Sequence, residues 1–218
     1  MILLLDLDGT VIDSTDAIVE SFVVTCQKHN FATPTHNQIT KLIGYPLDIM
    51  FRELGVQEEE VWDFVTTYKE HYRVISKTKT TLLPNAKKAI QFASTFATLG
   101  VVTTKTAKYS VELLEHFGLM QHFVTLIGRE NVQNPKPDAE PILKALAAIK
   151  PKKGESVYMI GDTTLDLKSA ENAGVGAVAL LCGYGLKSEL EHFNFPICSN
   201  LLEAVELLQK EKKQHTLL

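Results

Sequence analysis

The sequence has few of the features that mark secreted, membrane-bound and nucleic-acid-binding proteins. Its 218 residues include only three cysteines, at positions 26, 182 and 198, and no CxxC pair. An odd, widely spaced set of this kind does not build a disulfide framework and fits a reducing compartment. The net charge is −4, so there is no electrostatic reason to expect nucleic acid or a membrane surface as a partner.

Long hydrophobic runs are also missing. Residues 1–5 are apolar, but they lack the basic start and the length of a signal peptide. Residues 175–182 are also apolar, and they fall far short of the roughly 20 residues that a membrane-spanning helix needs. We therefore expect a soluble, cytoplasmic protein, either a monomer or a homodimer.

What the sequence does have is an alternation of short apolar runs with segments of helical period. Apolar residues make up 45% and charged residues 22% of the chain, which is ordinary globular usage. The alternation predicts an α/β fold, with a parallel sheet covered by helices on both faces. The predicted strands are 2–5, 100–103, 123–127, 156–160, 177–181 and 196–198, and the predicted helices between them are 86–98, 107–116, 140–149, 165–173 and 201–210.

One stretch breaks the alternation. From residue 14 to about residue 79 only helical patterns occur, for example apolar positions 47, 50, 51 and 54 and a longer stripe over 61–75. We interpret residues 15–79 as a small helical domain inserted after the first strand, and residues 1–14 together with 80–218 as the α/β core domain.

Polar side chains follow four of the predicted strands, where an open parallel sheet binds its ligands. Asp6 and Asp8 come directly after the first strand, two residues apart, so that they project to the same side. The others are Thr103, Thr104 and Lys105 after the second strand, Lys136 in the loop after the third, and Asp162 and Asp166 after the fourth.

Four carboxylates converging on one edge of a sheet would be electrostatically costly without a partner. A hard divalent cation resolves this, because Mg²⁺ takes one or two carboxylates together with water and phosphate oxygens. Carboxylates, a metal ion, a hydroxyl and a lysine around one point are typical of phosphoryl transfer. The sequence therefore predicts a Mg²⁺ cofactor and a phosphorylated small-molecule substrate.

In order and in spacing these residues resemble the four motifs of the haloacid dehalogenase superfamily. The motifs are DLDGT at 6–10, Thr103, Lys136 and GDTTLD at 161–166, and the helical insertion resembles that superfamily's cap. VIDS at 11–14, IGYPL at 43–47, VVTTK at 101–105 and VQNPKP at 132–137 are most similar to the phosphoglycolate phosphatase branch. The resemblance implies a Rossmann-like three-layer core with a helical cap.

The resemblance also implies roles for the charged residues. Asp6 is expected to attack phosphorus and become an aspartyl phosphate, and Asp8 to act first as the general acid and then as the general base. The expected metal ligands are the carboxylates of Asp6 and Asp162, the backbone carbonyl of Asp8, and Asp166 either directly or through water.

Substrate contacts are expected from both domains. Thr103 and Lys136 would bind phosphoryl oxygens, and Gly9 would let backbone N–H groups approach the phosphate. Thr104 stands where phosphoglycolate phosphatases often have asparagine, and Lys105 is equally consistent with substrate binding and with a solvated surface lysine. In the cap, backbone N–H groups near Gly44 are expected to hold a small carboxylate.

The function predicted from these residues is a Mg²⁺-dependent phosphatase of a small phosphate monoester such as 2-phosphoglycolate. Pyrophosphate, a nucleotide or a sugar phosphate are the alternative substrates. A phosphomutase is less favoured, because the matching cap stretches at 44–47 and 16–20 lack the arginine and histidine such enzymes use. A non-catalytic binding module is disfavoured, because Asp6, Asp8 and Lys136 are all present.

Overall fold

The computed structural model describes residues 1–216. Its strands are β1 (Ile2–Leu5), β2 (Ile12–Asp13), β3 (Thr81–Leu82), β4 (Thr98–Val102), β5 (Phe123–Ile127), β6 (Val157–Gly161), β7 (Gly176–Leu180) and β8 (Ile197–Cys198). Its helices are α1 (Thr15–Lys28), α2 (His36–Thr40), α3 (Leu47–Glu53), α4 (Val61–Ile75), α5 (Ala86–Ala93), α6 (Ala107–His116), α7 (Glu140–Ile149), α8 (Thr164–Ala173), α9 (Lys187–Leu190) and α10 (Leu201–Thr216). No helix in this range is long and apolar enough to cross a membrane.

Six parallel strands form the central sheet, in the order β5-β4-β1-β6-β7-β8. Alternate residues of β1 face opposite layers, as the period of a strand requires. Leu3 and Leu5 pack in a cluster with apolar residues of α5, α6 and α10. Ile2 and Leu4 pack in a second cluster with α7 and α8. The predicted three-layer α/β fold is thus confirmed, and β1, the central strand that ends at Asp6, is covered on both faces.

The predicted helix 86–98 is too long. In the structure α5 ends at Ala93, and Ser94 and Thr95 donate side-chain hydrogen bonds to the backbone carbonyls of Gln91 and Phe92. Such local bonds compete with the helical ladder and end it. Thr98 then begins β4 by pairing with Ile2 of β1. Strand β4 accordingly begins two residues earlier than predicted, and α10 continues beyond the predicted residue 210 to Thr216.

Helices α1 to α4 share an apolar cluster of their own. Its centre is aromatic, with the Phe22 ring 4.6 Å from that of Phe51 and 5.0 Å from that of Tyr68. Strands β2 and β3 pair antiparallel beside the two points where the chain enters and leaves this helical segment. The sequence did not predict this ribbon, because two residues per strand are too few to show a period. We refer to residues 15–79 below as the cap.

Candidate active site

Asp6 lies directly after β1, at the carboxyl edge of the sheet. Its backbone N–H donates to Ile160 O of the neighbouring strand at 2.9 Å, which fixes its place in the sheet. The side chain is buried, and Asp6 Oδ1 is 3.0 Å from Lys136 Nζ, which is buried as well. Asp6 Oδ1 nevertheless accepts no hydrogen bond of good geometry from any described residue. It is therefore a buried carboxylate oxygen with room for one further ligand.

Asp162 lies after β6, beside β1, and is fully buried. Its two oxygens have separate donors: Thr10 Oγ1 donates to Oδ1 at 2.9 Å and the backbone N–H of Tyr184 donates to Oδ2 at 2.8 Å. Both donors come from loops that follow neighbouring strands. They fix the orientation of the Asp162 carboxylate from two sides.

Asp166, in the first turn of α8, makes contacts within its own loop. Its Oδ2 accepts hydrogen bonds from the backbone N–H and the hydroxyl of Thr163, at 3.0 and 2.7 Å, in a capping box that begins the helix. Its Oδ1 is 2.5 Å from Lys136 Nζ. Because both oxygens already have partners, Asp166 serves here to hold Lys136, which also donates to Val102 O at 3.2 Å.

Three carboxylates meet at this point. One oxygen from each of Asp6, Asp162 and Asp166 lies within 4.8 Å of the other two. Burial raises the pKa of Asp162 well above its ordinary value, and the charges of Asp166 and Asp6 add to this. Burial likewise raises the pKa of Asp6, while the charge of Lys136 opposes the shift.

These carboxylates suit a divalent cation. Three negative charges face the single positive charge of Lys136, which leaves an excess of two that a divalent cation would balance. The donor set is all oxygen, as Mg²⁺ prefers, and Oδ1 of Asp6, which pairs with Lys136 but accepts no well-formed hydrogen bond, is available as a ligand atom.

The carboxylate of Asp8 does not join this cluster. Both of its oxygens accept hydrogen bonds from Lys105 Nζ, at 3.1 and 2.9 Å, and Oδ1 also accepts one from the hydroxyl of Ser14. Of the four residues predicted as metal ligands, the structure thus brings together the carboxylates of Asp6, Asp162 and Asp166. The Asp8 carboxylate faces Lys105 and Ser14 instead.

Lys105 is not a solvated surface lysine. Its side chain is only 10% exposed, and Nζ lies 4.7 Å from the centre of the Tyr72 ring of the cap. Burial opposes the charge, but Asp8 and the neighbouring tyrosines raise the pKa of Lys105 well above its ordinary value. Lys105 therefore stays charged between the Asp8 carboxylate of the core and an aromatic face of the cap.

The two threonines before Lys105 have different surroundings. Thr103 is buried, and its hydroxyl oxygen accepts a hydrogen bond from the Lys105 backbone N–H at 3.2 Å. Thr104 Oγ1 donates to Gly44 O of the cap loop at 2.8 Å. The threonine that replaces the asparagine of many relatives thus links the core to the predicted substrate loop.

Two glycines allow the loops to close around Asp162. Gly9 has φ +80°, and a Cβ on it would lie 2.3 Å from Asp162 Oδ2; a Cβ on Gly183 would lie 2.1 Å from the same atom. Gly9 is among the residues predicted from the sequence, whereas the loop 183–185 is not, although the Tyr184 backbone N–H donates to Asp162. The two glycines that flank Tyr184, at positions 183 and 185, were the only sequence signal of this contact, because the donor is a backbone N–H rather than a side chain.

A cavity of about 210 Å³ opens between the cap and the core. The core contributes Asp8, Thr104 and Lys105 to its wall, and the cap contributes mainly apolar and aromatic side chains. Four residues of the cap loop, Ile43, Gly44, Tyr45 and Leu47, also line it. The cavity therefore runs from Asp8 into the cap.

Comparison with known proteins agrees with this geometry. Residues 3–180 match the family model described as haloacid dehalogenase-like hydrolase. The chain belongs to the haloacid dehalogenase-like hydrolase family. It is 31% identical to pyrophosphatase PpaX of Halalkalibacterium halodurans over 85% of each chain, and 28% identical to phosphoglycolate phosphatase of Agrobacterium fabrum over 82% of this chain and 79% of that protein. A haloacid dehalogenase-like hydrolase from Bacteroides fragilis matches in structure with a TM-score of 0.87 at 26% identity, over 93% of this chain and 98% of that one.

Proposed function

We propose that this haloacid dehalogenase-like hydrolase is a Mg²⁺-dependent phosphatase that hydrolyses a small phosphate monoester through a phosphorylated Asp6. The observation that carries the proposal is the buried Asp6 carboxylate, whose Oδ1 lies 3.0 Å from Lys136 Nζ and accepts no hydrogen bond of good geometry from any described residue. A carboxylate held in this way against a fixed cation is a nucleophile placed for attack on phosphorus.

In the first step an oxygen of Asp6 attacks phosphorus, and the bond from phosphorus to the leaving oxygen breaks. The leaving oxygen takes a proton from the carboxyl group of Asp8, and the substrate's alcohol departs. Lys105 and Ser14 hold that carboxyl group in place. Lys136 and Thr103 would offset the negative charge on the phosphoryl oxygens.

In the second step Asp8, now a carboxylate, takes a proton from a water molecule. The resulting hydroxide attacks the phosphorus of the aspartyl phosphate, which releases inorganic phosphate and regenerates Asp6. The residues that would hold Mg²⁺ are Asp6, Asp162 and the backbone carbonyl of Asp8, with Asp166 as a supporting group. The ion would supply positive charge to the phosphoryl oxygens in both steps.

2-Phosphoglycolate, the example of a small phosphate monoester that the sequence favours, is the first substrate to test. Two relatives carry the names pyrophosphatase and phosphoglycolate phosphatase, so inorganic pyrophosphate belongs in the same panel. A monoester is favoured over pyrophosphate because the cavity that leads away from Asp8 is lined mainly by apolar side chains.

The direct test compares Asp6→Asn with wild type on acetyl phosphate and 2-phosphoglycolate, each with Mg²⁺ and with EDTA. Wild type should release phosphate only with Mg²⁺, and Asp6→Asn should release none. Asp63→Asn, which alters an exposed acid in the cap, is the matched control and should behave like wild type. Turnover by Asp6→Asn close to that of the control would refute the proposed role of Asp6.

A further inference from the structure

The cavity between cap and core has a lining that a two-carbon acid does not explain. We propose that it binds a heteroaromatic leaving group, so that the substrate class is a phosphomonoester of nucleotide size. This rests on the proposed function, since it assigns the non-phosphate part of the substrate of the same site. Three properties of the cavity carry the proposal: its size, its aromatic wall and the balance of charges around it.

The size of the cavity exceeds the needs of a small acid. Its volume is about 210 Å³, whereas one bound water needs on the order of 10–15 Å³. Glycolate has five non-hydrogen atoms and would leave most of this space to water. A ring system with an attached sugar would fill it, and filling an apolar pocket is where its binding energy comes from.

The wall of the cavity presents flat aromatic surfaces. Tyr72 and Tyr68 are nearly fully buried and stack on each other, with ring centres 5.6 Å apart, so they support the wall from behind. Tyr109, whose ring lies 6.2 Å from that of Tyr72, is half-buried and lines the cavity from the core side. Trp62 and Tyr45 also line the cavity and are 56% and 40% exposed, so they stand where it meets solvent. Aromatic side chains in such an arrangement favour a planar ring as a ligand.

The charges around the cavity do not favour a second anionic group. Basic and acidic side chains occur in equal number, so that no excess of positive charge is available for a carboxylate or a second phosphate. They are Lys69, Lys105 and Arg129 on one side and Asp8, Asp48 and Glu130 on the other. A heteroaromatic ring meets all of these conditions, because it offers two apolar faces and uncharged acceptors at its edge.

The test measures kcat/KM for adenosine and uridine 5′-monophosphates, 2-phosphoglycolate and acetyl phosphate with Mg²⁺ present. The better nucleotide should exceed 2-phosphoglycolate by at least about tenfold, the discrimination that a fitted pocket provides. Equal or higher kcat/KM for 2-phosphoglycolate, with both activities lost in Asp6→Asn, would overturn this inference and leave the proposed function intact. If Asp6-dependent hydrolysis is found for none of these substrates, both this inference and the proposed function are overturned.

Two variants connect the preference to the cavity. Trp62→Ala removes an exposed aromatic face from the mouth of the cavity, and it should lower kcat/KM for the nucleotide roughly threefold to tenfold while affecting acetyl phosphate less. Val74→Ala is the matched control, because it alters another exposed side chain of α4 that does not line the cavity, and it should change neither activity. A Trp62→Ala variant that loses both activities to the same extent, or loses neither, would contradict the assignment.

Discussion

Replacing Thr10 with valine tests whether the loop after β1 orients Asp162. Thr10 is fully buried, and its hydroxyl donates to Asp162 Oδ1 at 2.9 Å. Valine keeps the branched shape but cannot donate, so Asp162 keeps only the hydrogen bond from the Tyr184 backbone. The carboxylate would then be free to turn about its remaining partner. We expect this to weaken Mg²⁺ binding more than it weakens the fold.

The expected magnitudes follow from that one hydrogen bond. A hydrogen bond to a charged group contributes about 1.5–3 kcal/mol. In a chain of this size that loss lowers the melting temperature by roughly 3–12 °C, at about 2–4 °C per kcal/mol. Loss of a residue that orients a metal ligand typically lowers metal affinity about 10- to 100-fold, so half-maximal activity should require that much more Mg²⁺.

Thr25→Val is the matched control, assayed by the same Mg²⁺ titration of activity and the same thermal melts. Thr25 is as buried as Thr10, but its hydroxyl donates to Ser21 O within helix α1 at 2.7 Å. The Thr25→Val variant should therefore lose some stability and keep the wild-type Mg²⁺ requirement. A Mg²⁺ requirement in Thr10→Val that is no higher than in Thr25→Val would refute the assignment of Thr10 as a positioning residue.

Two further predictions concern residues that hold the catalytic groups in place. Lys105→Met should lower kcat roughly 10- to 100-fold by releasing Asp8. The control Lys187→Met, at an exposed side chain, should leave kcat unchanged, and steady-state kinetics would measure both variants. Glu140 accepts two backbone N–H bonds from the loop before Lys136, which lowers its pKa to about 2. Glu140→Gln should therefore have a lower melting temperature than wild type at pH 7, and this difference in melting temperature should shrink as pH falls from about 4.5 towards 2. A difference in melting temperature that stays the same over this pH range would contradict the prediction.

Much of the fold and the order of the site residues could be predicted from the sequence. The strands of a buried parallel sheet are nearly continuous apolar runs, so β1 and β6 stand out, and the polar residues that follow them mark the edge where ligands bind. Asp6, Lys136, Asp162 and Asp166 meet at that edge in the structure. Their individual chemical roles stay predictions until the variants are measured.

The rest of the site could not be predicted, because it depends on contacts between distant segments. The hydrogen bond from Tyr184 to Asp162 comes from a backbone N–H, which no side-chain pattern reveals. The contact between Lys105 and Tyr72 joins core and cap. The loop 43–47 is uncharged, and the sequence predicts that its backbone N–H groups hold a small carboxylate. The charged side chains that line the cavity come from other segments, among them Arg129 after β5.

The most direct test of the central claim is to trap the phosphorylated enzyme. Asn at position 8 cannot deprotonate water, so Asp8→Asn should still react with acetyl phosphate, which needs little help from an acid, but should not complete hydrolysis. After an acid quench, mass spectrometry of its peptides should find one phosphoryl group on Asp6, lost on treatment with hydroxylamine, and none in Asp6→Asn/Asp8→Asn. A phosphoryl group on any other residue, or none on Asp6 while wild type turns over under the same conditions, would contradict the account.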